Sequence, residues 1–275
     1  MTIDGLGQFG VWRGYQGVTP DEAHELEQLG YGTVWLGGSP PAELPVVESL
    51  LAATDSLTVA TSIVNIWSAP AKIVADSFHR IEERFPGRFL LGVGAGHPEF
   101  NGPYRKPYDA LVEYLDELDE AGVPKQRRAL AALGPRVLEL ARERTAGALP
   151  YLVTPEHTRR ARAILGADAL LAVEQKLVLD ENPERAREVG RTIVPMYLGL
   201  ANYVANLRRL GFDDADVAAP GSDALIDQLA VHGSAARVAE QLRAHLDAGA
   251  DHVALQALGP SYLESLRALA PLLRA

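Results

Sequence analysis

The sequence contains no cysteine. That excludes a disulfide framework, thiolate metal ligands and a thiol nucleophile. Long apolar runs are missing too: no stretch reaches the ~18 residues that would cross a bilayer. The opening segment, MTIDGLGQFGVW, has neither a basic flank nor an apolar core, so no signal peptide and a cytoplasmic location are expected. Basic charge is scarce, with 26 Lys and Arg against 36 Asp and Glu and a net charge of −10. The arginine pairs 127–128, 159–160 and 208–209 lie among acids and read as solvated helix faces. No nucleic-acid partner and no membrane surface is expected.

What is present is apolar material for a large core: 47% of 275 residues are hydrophobic. One unit recurs along the chain. An amphipathic helix ends, a glycine follows, and a short apolar run begins, as in EAHELEQLGYGTVWLG (22–37) and VAEQLRAHLDAGADHVALQAL (238–258). The glycine supplies the left-handed turn that stops a helix. The runs that follow lack strict apolar/polar alternation, so they read as strands buried on both faces of a parallel sheet. Eight such strands are expected, at 6–12, 32–37, 58–66, 88–94, 126–132, 147–153, 168–179 and 251–257. Eight βα units in this length indicate an α/β (β/α)8 TIM barrel. The competing open doubly wound sheet would carry a glycine-rich nucleotide fingerprint after its first strand. Thr19-Pro20-Asp21-Glu22 stands there instead and reads as a helix start with a cap, an N1 proline and an acidic first turn.

The whole chain, 1–275, reads as a single domain with a helical insertion at roughly 183–235 before the last strand. In that insertion a helix over 183–200 is expected to bend at Pro195 and run on into NYVANLRRLGF. A second helix is expected over ALIDQLAVHG.

Barrel active sites lie at the C-terminal ends of the strands. Those ends carry no HxH, no carboxylate cluster and no lysine placed for a Schiff base, so no metal site is expected. They carry glycine, small residues and aromatics, which let a large planar or phosphorylated ligand approach the backbone. Gly134-Pro135 opens a helix and offers free amides to an anionic group. Trp12, Ser39, Trp67 and Tyr151 fall where a substrate pocket would form; Trp35 fits pocket or core equally. Glu174 and Lys176 share one strand face and read as an internal pair.

The run TSIVNIWSAPAKIVADSFHRIEERFPGRFLLGVGAG resembles the third and fourth βα units of the bacterial luciferase-like monooxygenase superfamily. The likeness is to the branch that uses the deazaflavin coenzyme F420. VWLGGSP, LGPRVLELARERTAG, PYLVTPEHT, NYVANLRRLGF and HLDAGADHVALQ fit the same order, and the likeness runs from about 8 to 260. The resemblance implies a (β/α)8 barrel that commonly dimerises, so a homodimer is expected. It implies F420 as cofactor and hydride transfer to or from a small organic substrate. The alternatives are an FMN-dependent monooxygenase of the same fold and a deazaflavin-binding protein without turnover.

By resemblance, a non-prolyl cis peptide at Ser62-Ile63 backs the cofactor ring, and Asn65 is a further cofactor contact. Gly94-Ala95-Gly96 wraps the ring and its side chain. Leu133-Gly134-Pro135 receives the phosphate. His97 stands where some relatives place a carboxylate proton donor, and histidine exchanges protons near neutrality; the other reading is a loop histidine bonded to backbone. Ser39 is either a ligand contact or a turn residue. His157 faces either the cofactor tail or solvent.

Overall fold

A computed structural model describes residues 5–97 and 106–274. Ten strands form one parallel sheet: β1 (Phe9–Gly14), β2 (Thr33–Gly37), β3 (Thr58–Thr61), β4 (Val64–Asn65), β5 (Phe89–Gly94), β6 (Arg128–Leu130), β7 (Gly147–Ala148), β8 (Leu170–Val178), β9 (Ala230–His232) and β10 (His252–Ala257). The sheet runs β10-β1-β2-β3-β5-β6-β7-β8 and closes where β8 pairs with β10. The short β4 continues the line of β3 after a two-residue break and pairs with β5. With those two counted as one, eight strands close a barrel, and the fold is the (β/α)8 barrel expected from the sequence. Among the described residues no helix is long and apolar enough to cross a membrane.

The strand runs are buried throughout: FLLGVG of β5 and LLAVEQKLV of β8 show no exposed position. They face packed side chains inside the barrel and a helix layer outside, as continuous apolar runs require. The local signals work as predicted at the first helix, Pro20–Gln28. The Thr19 hydroxyl accepts from the Glu22 amide and the Glu22 carboxylate accepts from the Thr19 amide.

Three expectations need correction. The strand expected over 147–153 is regular only at Gly147–Ala148, with single backbone bonds on at Leu149 and Pro150; beyond it Leu152 is left-handed at φ 57, which no strand residue adopts. The long bent helix is instead three short ones, Pro183–Gly190, Val194–Leu198 and Ala201–Arg209. Pro195 has no amide to donate and so sits in the first turn of a new helix rather than inside an old one. The helix over ALIDQLAVHG stops at Leu229, and Ala230–His232 becomes β9, which pairs with the end of β8. Its Ala230 and Val231 are buried, and the open edge of β8 supplies the backbone partners.

Polar groups inside the helix layer are matched. His245 on the helix Ala235–Asp247 bridges Thr158 Oγ1 at 2.8 Å and Gln175 Oε1 at 2.8 Å. At the barrel floor the Trp35 indole donates to His252 Nε2 at 2.8 Å, and His252 Nδ1 donates to the Gly7 carbonyl at 2.7 Å. Each ring has one nitrogen donating and one accepting, so neither has room for a second proton. Burial holds His245 down at about 3 and His252 at about 4.

Both histidines ionise normally, near 6.5, once the chain unfolds. The unfolded chain therefore binds more protons below that pH, and the stability they contribute is present above 6.5 and is lost as pH falls toward 4. Urea titrations at pH 8, 6.5 and 5 are expected to show unfolding free energy steady from 8 to 6.5. Below that it falls by up to ~1.4 kcal/mol per pH unit for each histidine. A stability that stays flat down to pH 5 contradicts this assignment.

Candidate functional site

At the C-terminal mouth of the barrel lies a cavity of about 550 Å³. That is within the ordinary range for a cofactor or substrate site. Its wall has two sources. The barrel supplies strand ends and the loops behind them, and the insertion supplies Tyr197, Ala201, Asn202 and Tyr203. Pro107, Leu111 and Val137 add apolar surface from neighbouring helices.

Ten of the residues singled out from the sequence line this cavity: Trp12, Ser39, Ser62, Ile63, Ala95, Gly96, His97, Leu133, Gly134 and Tyr151. Four lie just outside it. Asn65 Oδ1 accepts from the Trp67 amide, and the Trp67 indole donates to the Ala95 carbonyl at 2.6 Å, so these two brace the loop from behind. Gly94 backs Ile63: a Cβ there would lie 3.0 Å from the Ile63 side chain and 2.9 Å from Ala131 Cβ. Pro135 opens the helix Pro135–Arg144 and is exposed. Trp35 is barrel core, not pocket.

The break between β3 and β4 puts Ser62 and Ile63 into the cavity wall. The peptide bond between them is cis, the geometry the resemblance implied. Ser62 Oγ accepts from the Trp12 indole at 3.2 Å. Trp12 in turn lies across Gly37, where a Cβ would come within 1.9 Å of the indole ring. Only glycine at 37 allows the ring to lie there.

The turn after β6 has a different character. A Cβ on Gly134 would meet no atom of the described residues within 4 Å, and its φ of −88 suits any residue. Val137 and Leu138 both donate to the Gly134 carbonyl, while the Gly134 and Arg136 amides have no backbone partner among the described residues. Free amides at the start of a ten-residue helix form an anion-accepting end. His157 is neither on the surface nor facing the cavity. It is buried, and its Nε2 donates to the Leu133 carbonyl at 3.0 Å, which holds this turn from behind. Burial lowers its pKa, and the nearby Arg209 and Arg160 guanidinium groups lower it further, so the ring stays neutral.

The inner wall is aromatic. Tyr151 packs on Trp12 at 5.4 Å between ring centroids and on Tyr197 at 5.2 Å; Tyr203 packs on Tyr197 at 5.2 Å and on His97 at 5.2 Å. The Tyr197 hydroxyl donates to the Tyr151 oxygen at 3.0 Å, and Tyr151 donates to Gln256 Oε1 at 2.9 Å. Behind Tyr151 lies the expected pair, Lys176 and Glu174, 3.0 Å apart. The Lys176 ammonium sits 3.9 Å from the centroid of the Tyr151 ring. Burial pulls the Lys176 ammonium below its usual range, and the Glu174 carboxylate opposes that.

The residues that sequence reasoning missed are those of the insertion, above all Tyr197 and Tyr203. NYVANLRRLGF stood out only as a matching run, because two tyrosines six positions apart carry no period that separates a pocket wall from a helix face. Among the described residues no group of three or more His, Asp and Glu is placed to hold a metal.

The two glycines give a paired test. Gly37→Ala is expected to cost about 1–3 kcal/mol, as forced overpacking does, and to shift the tryptophan emission. Gly134→Ala is expected to stay within ~0.5 kcal/mol of the parent. Urea denaturation measures both, and equal losses contradict the geometry.

The family model for luciferase-like monooxygenases matches residues 17–252. Among solved structures, similarity extends over nearly the full length at low identity. An F420-dependent secondary alcohol dehydrogenase in complex with an F420-acetone adduct superposes with a TM-score of 0.77 at 15% identity, covering 98% of this chain and 99% of that one. The coenzyme F420-dependent tetrahydromethanopterin reductase of Methanopyrus kandleri gives 0.71 at 15%, over 96% and 97%. The FMN-bound oxygenating constituent of 3,6-diketocamphane monooxygenase from Pseudomonas putida gives 0.71 at 14%, over 96% and 98%. No curated protein matches the sequence. With 17–252 matched, the chain belongs to the luciferase-like monooxygenase family, a family of oxidoreductases.

Proposed function

We propose that this chain is an F420-dependent oxidoreductase acting on a small organic substrate, working as a homodimer. The observation that carries the reading is the break between β3 and β4, which turns Ser62 and Ile63 into the wall of a cavity whose far rim is an anion-accepting helix start. A planar ring needs a backstop, and a phosphate needs amides; the cavity lining carries both.

F420 when bound supplies the hydride-carrying ring, so the protein's part is to seat, orient and shield. Ile63 is the apolar backstop, held by Gly94 and by the Trp12–Ser62 hydrogen bond. Ala95 and Gly96 leave the loop after β5 without bulk, so a ring can lie close to it. The Gly134 and Arg136 amides donate to the phosphate, which answers the −10 net charge locally. His157 fixes the Leu133 carbonyl and with it the direction of those amides. His97, at the cavity wall beside Tyr203, is the side chain placed to give or take a proton.

Absorbance and fluorescence titration of the purified protein separates the cofactors. The expected outcome is saturable binding of F420 and none of FMN at equal concentration; tight FMN binding with no F420 binding overturns the proposal. His157→Ala is expected to weaken F420 about tenfold, because it leaves the turn unbraced. Unchanged affinity in that variant removes the phosphate from this turn.

A further inference from the structure

The tyrosine wall is more than the cofactor's seat requires. The cavity lining contains no Asp, Glu, Lys or Arg among the described residues. The charges behind it, Glu174 and Lys176, pair with each other. The polar tips of the wall are mostly committed: Trp12 to Ser62, Tyr197 to Tyr151, and Tyr151 to Gln256. Tyr203 differs. It is 6% exposed and lines the cavity, and its ring is fixed between His97 and Tyr197. Its hydroxyl has no hydrogen-bond partner among the described residues, yet it is not sealed from the cavity space. A phenol held rigidly in an apolar wall, with its O–H unspent, is a group that awaits an oxygen atom from outside the protein. Burial keeps it protonated at neutral pH, so it donates.

We propose that the aromatic wall is the substrate chamber, that Tyr203 donates a hydrogen bond to the substrate's oxygen, and that the substrate is an uncharged, ring-bearing molecule carrying a carbonyl or hydroxyl group. The substrate role rests on the reading of the cavity as an F420 site; the binding preference does not. The rings of Trp12, Tyr151, Tyr197 and Tyr203 offer faces and edges to a planar guest. Away from His97 and the Gly134 turn, an anionic or cationic guest would meet an aromatic wall that carries no Asp, Glu, Lys or Arg among the described residues. Tyr197 and Tyr203 come from the insertion, so specificity would be set by that segment and cofactor binding by the barrel.

The test uses acetophenone, ethylbenzene and benzoate as probes, with affinities measured by calorimetry or saturation-transfer NMR on the full chain, with and without saturating F420. In the parent protein in phosphate buffer, where inorganic phosphate occupies the Gly134 and Arg136 amides, acetophenone is expected to bind at least tenfold more tightly than benzoate. In Tyr203→Phe acetophenone is expected to weaken about tenfold while ethylbenzene is unchanged. The parent ranking needs no variant, so a poorly folding substitution does not protect the proposal. Benzoate binding as tightly as acetophenone overturns it, and so does an acetophenone affinity that Tyr203→Phe leaves intact. F420 binding, followed by its own absorbance, reports separately: if F420 does not bind, the cofactor reading fails while the cofactor-free titrations still judge the chamber.

Discussion

Lys176 has no access to solvent, and a buried ammonium must be paired. Glu174, two residues back on the same face of β8, meets it at 3.0 Å. Much of the site hangs from this pair. The Glu174 carboxylate also accepts the Leu152 amide at 3.1 Å, which secures the left-handed residue just past Tyr151. The Lys176 ammonium presses on the Tyr151 ring. Tyr151 then ties the barrel to the insertion through Tyr197 and to β10 through Gln256. One ion pair thus fixes the floor of the cavity, the turn beside it and the docking of the segment above it. Gln175, between the two, points the other way and joins His245 and the backbone carbonyl of Leu229, so the same strand anchors the helix layer.

Shape is set at the strand ends by what is left out. Removing a side chain at Gly37 makes room for the Trp12 indole, and removing one at Gly94 makes room for Ile63. The Gly134 position is the converse case, since no atom of the described residues occupies the space of its missing Cβ. The first two glycines serve packing, and the third leaves backbone amides open to a ligand.

The barrel was legible in the sequence because each βα unit is a local pattern: helix, glycine, buried run. The Thr19 capping box, the Glu174–Lys176 face and the turn at Leu133-Gly134 follow from spacing of a few residues. The insertion was not legible in the same way. Its helices break at Thr192–Ile193 and at Gly199–Leu200, and β9 forms only because β8 offers an edge. Tyr197 and Tyr203 reach the cavity through packing against residues 46 and more positions away. His157 was placed at a helix start correctly, but its partner, the Leu133 carbonyl, lies across the helix layer. Periodicity tells which face of an element is apolar; it does not tell which neighbour that face meets.

In the proposed reading the cavity is divided between a barrel wall for F420 and an insertion wall that selects what reacts with it. A crystal structure of the chain soaked with F420 tests this division most directly. The predicted result places the deazaflavin ring against Ser62 and Ile63, the phosphate on the Gly134 and Arg136 amides, and open space between the ring and Tyr203. Density for the ring elsewhere on the chain, or with its phosphate away from the Leu133-Gly134 turn, contradicts it.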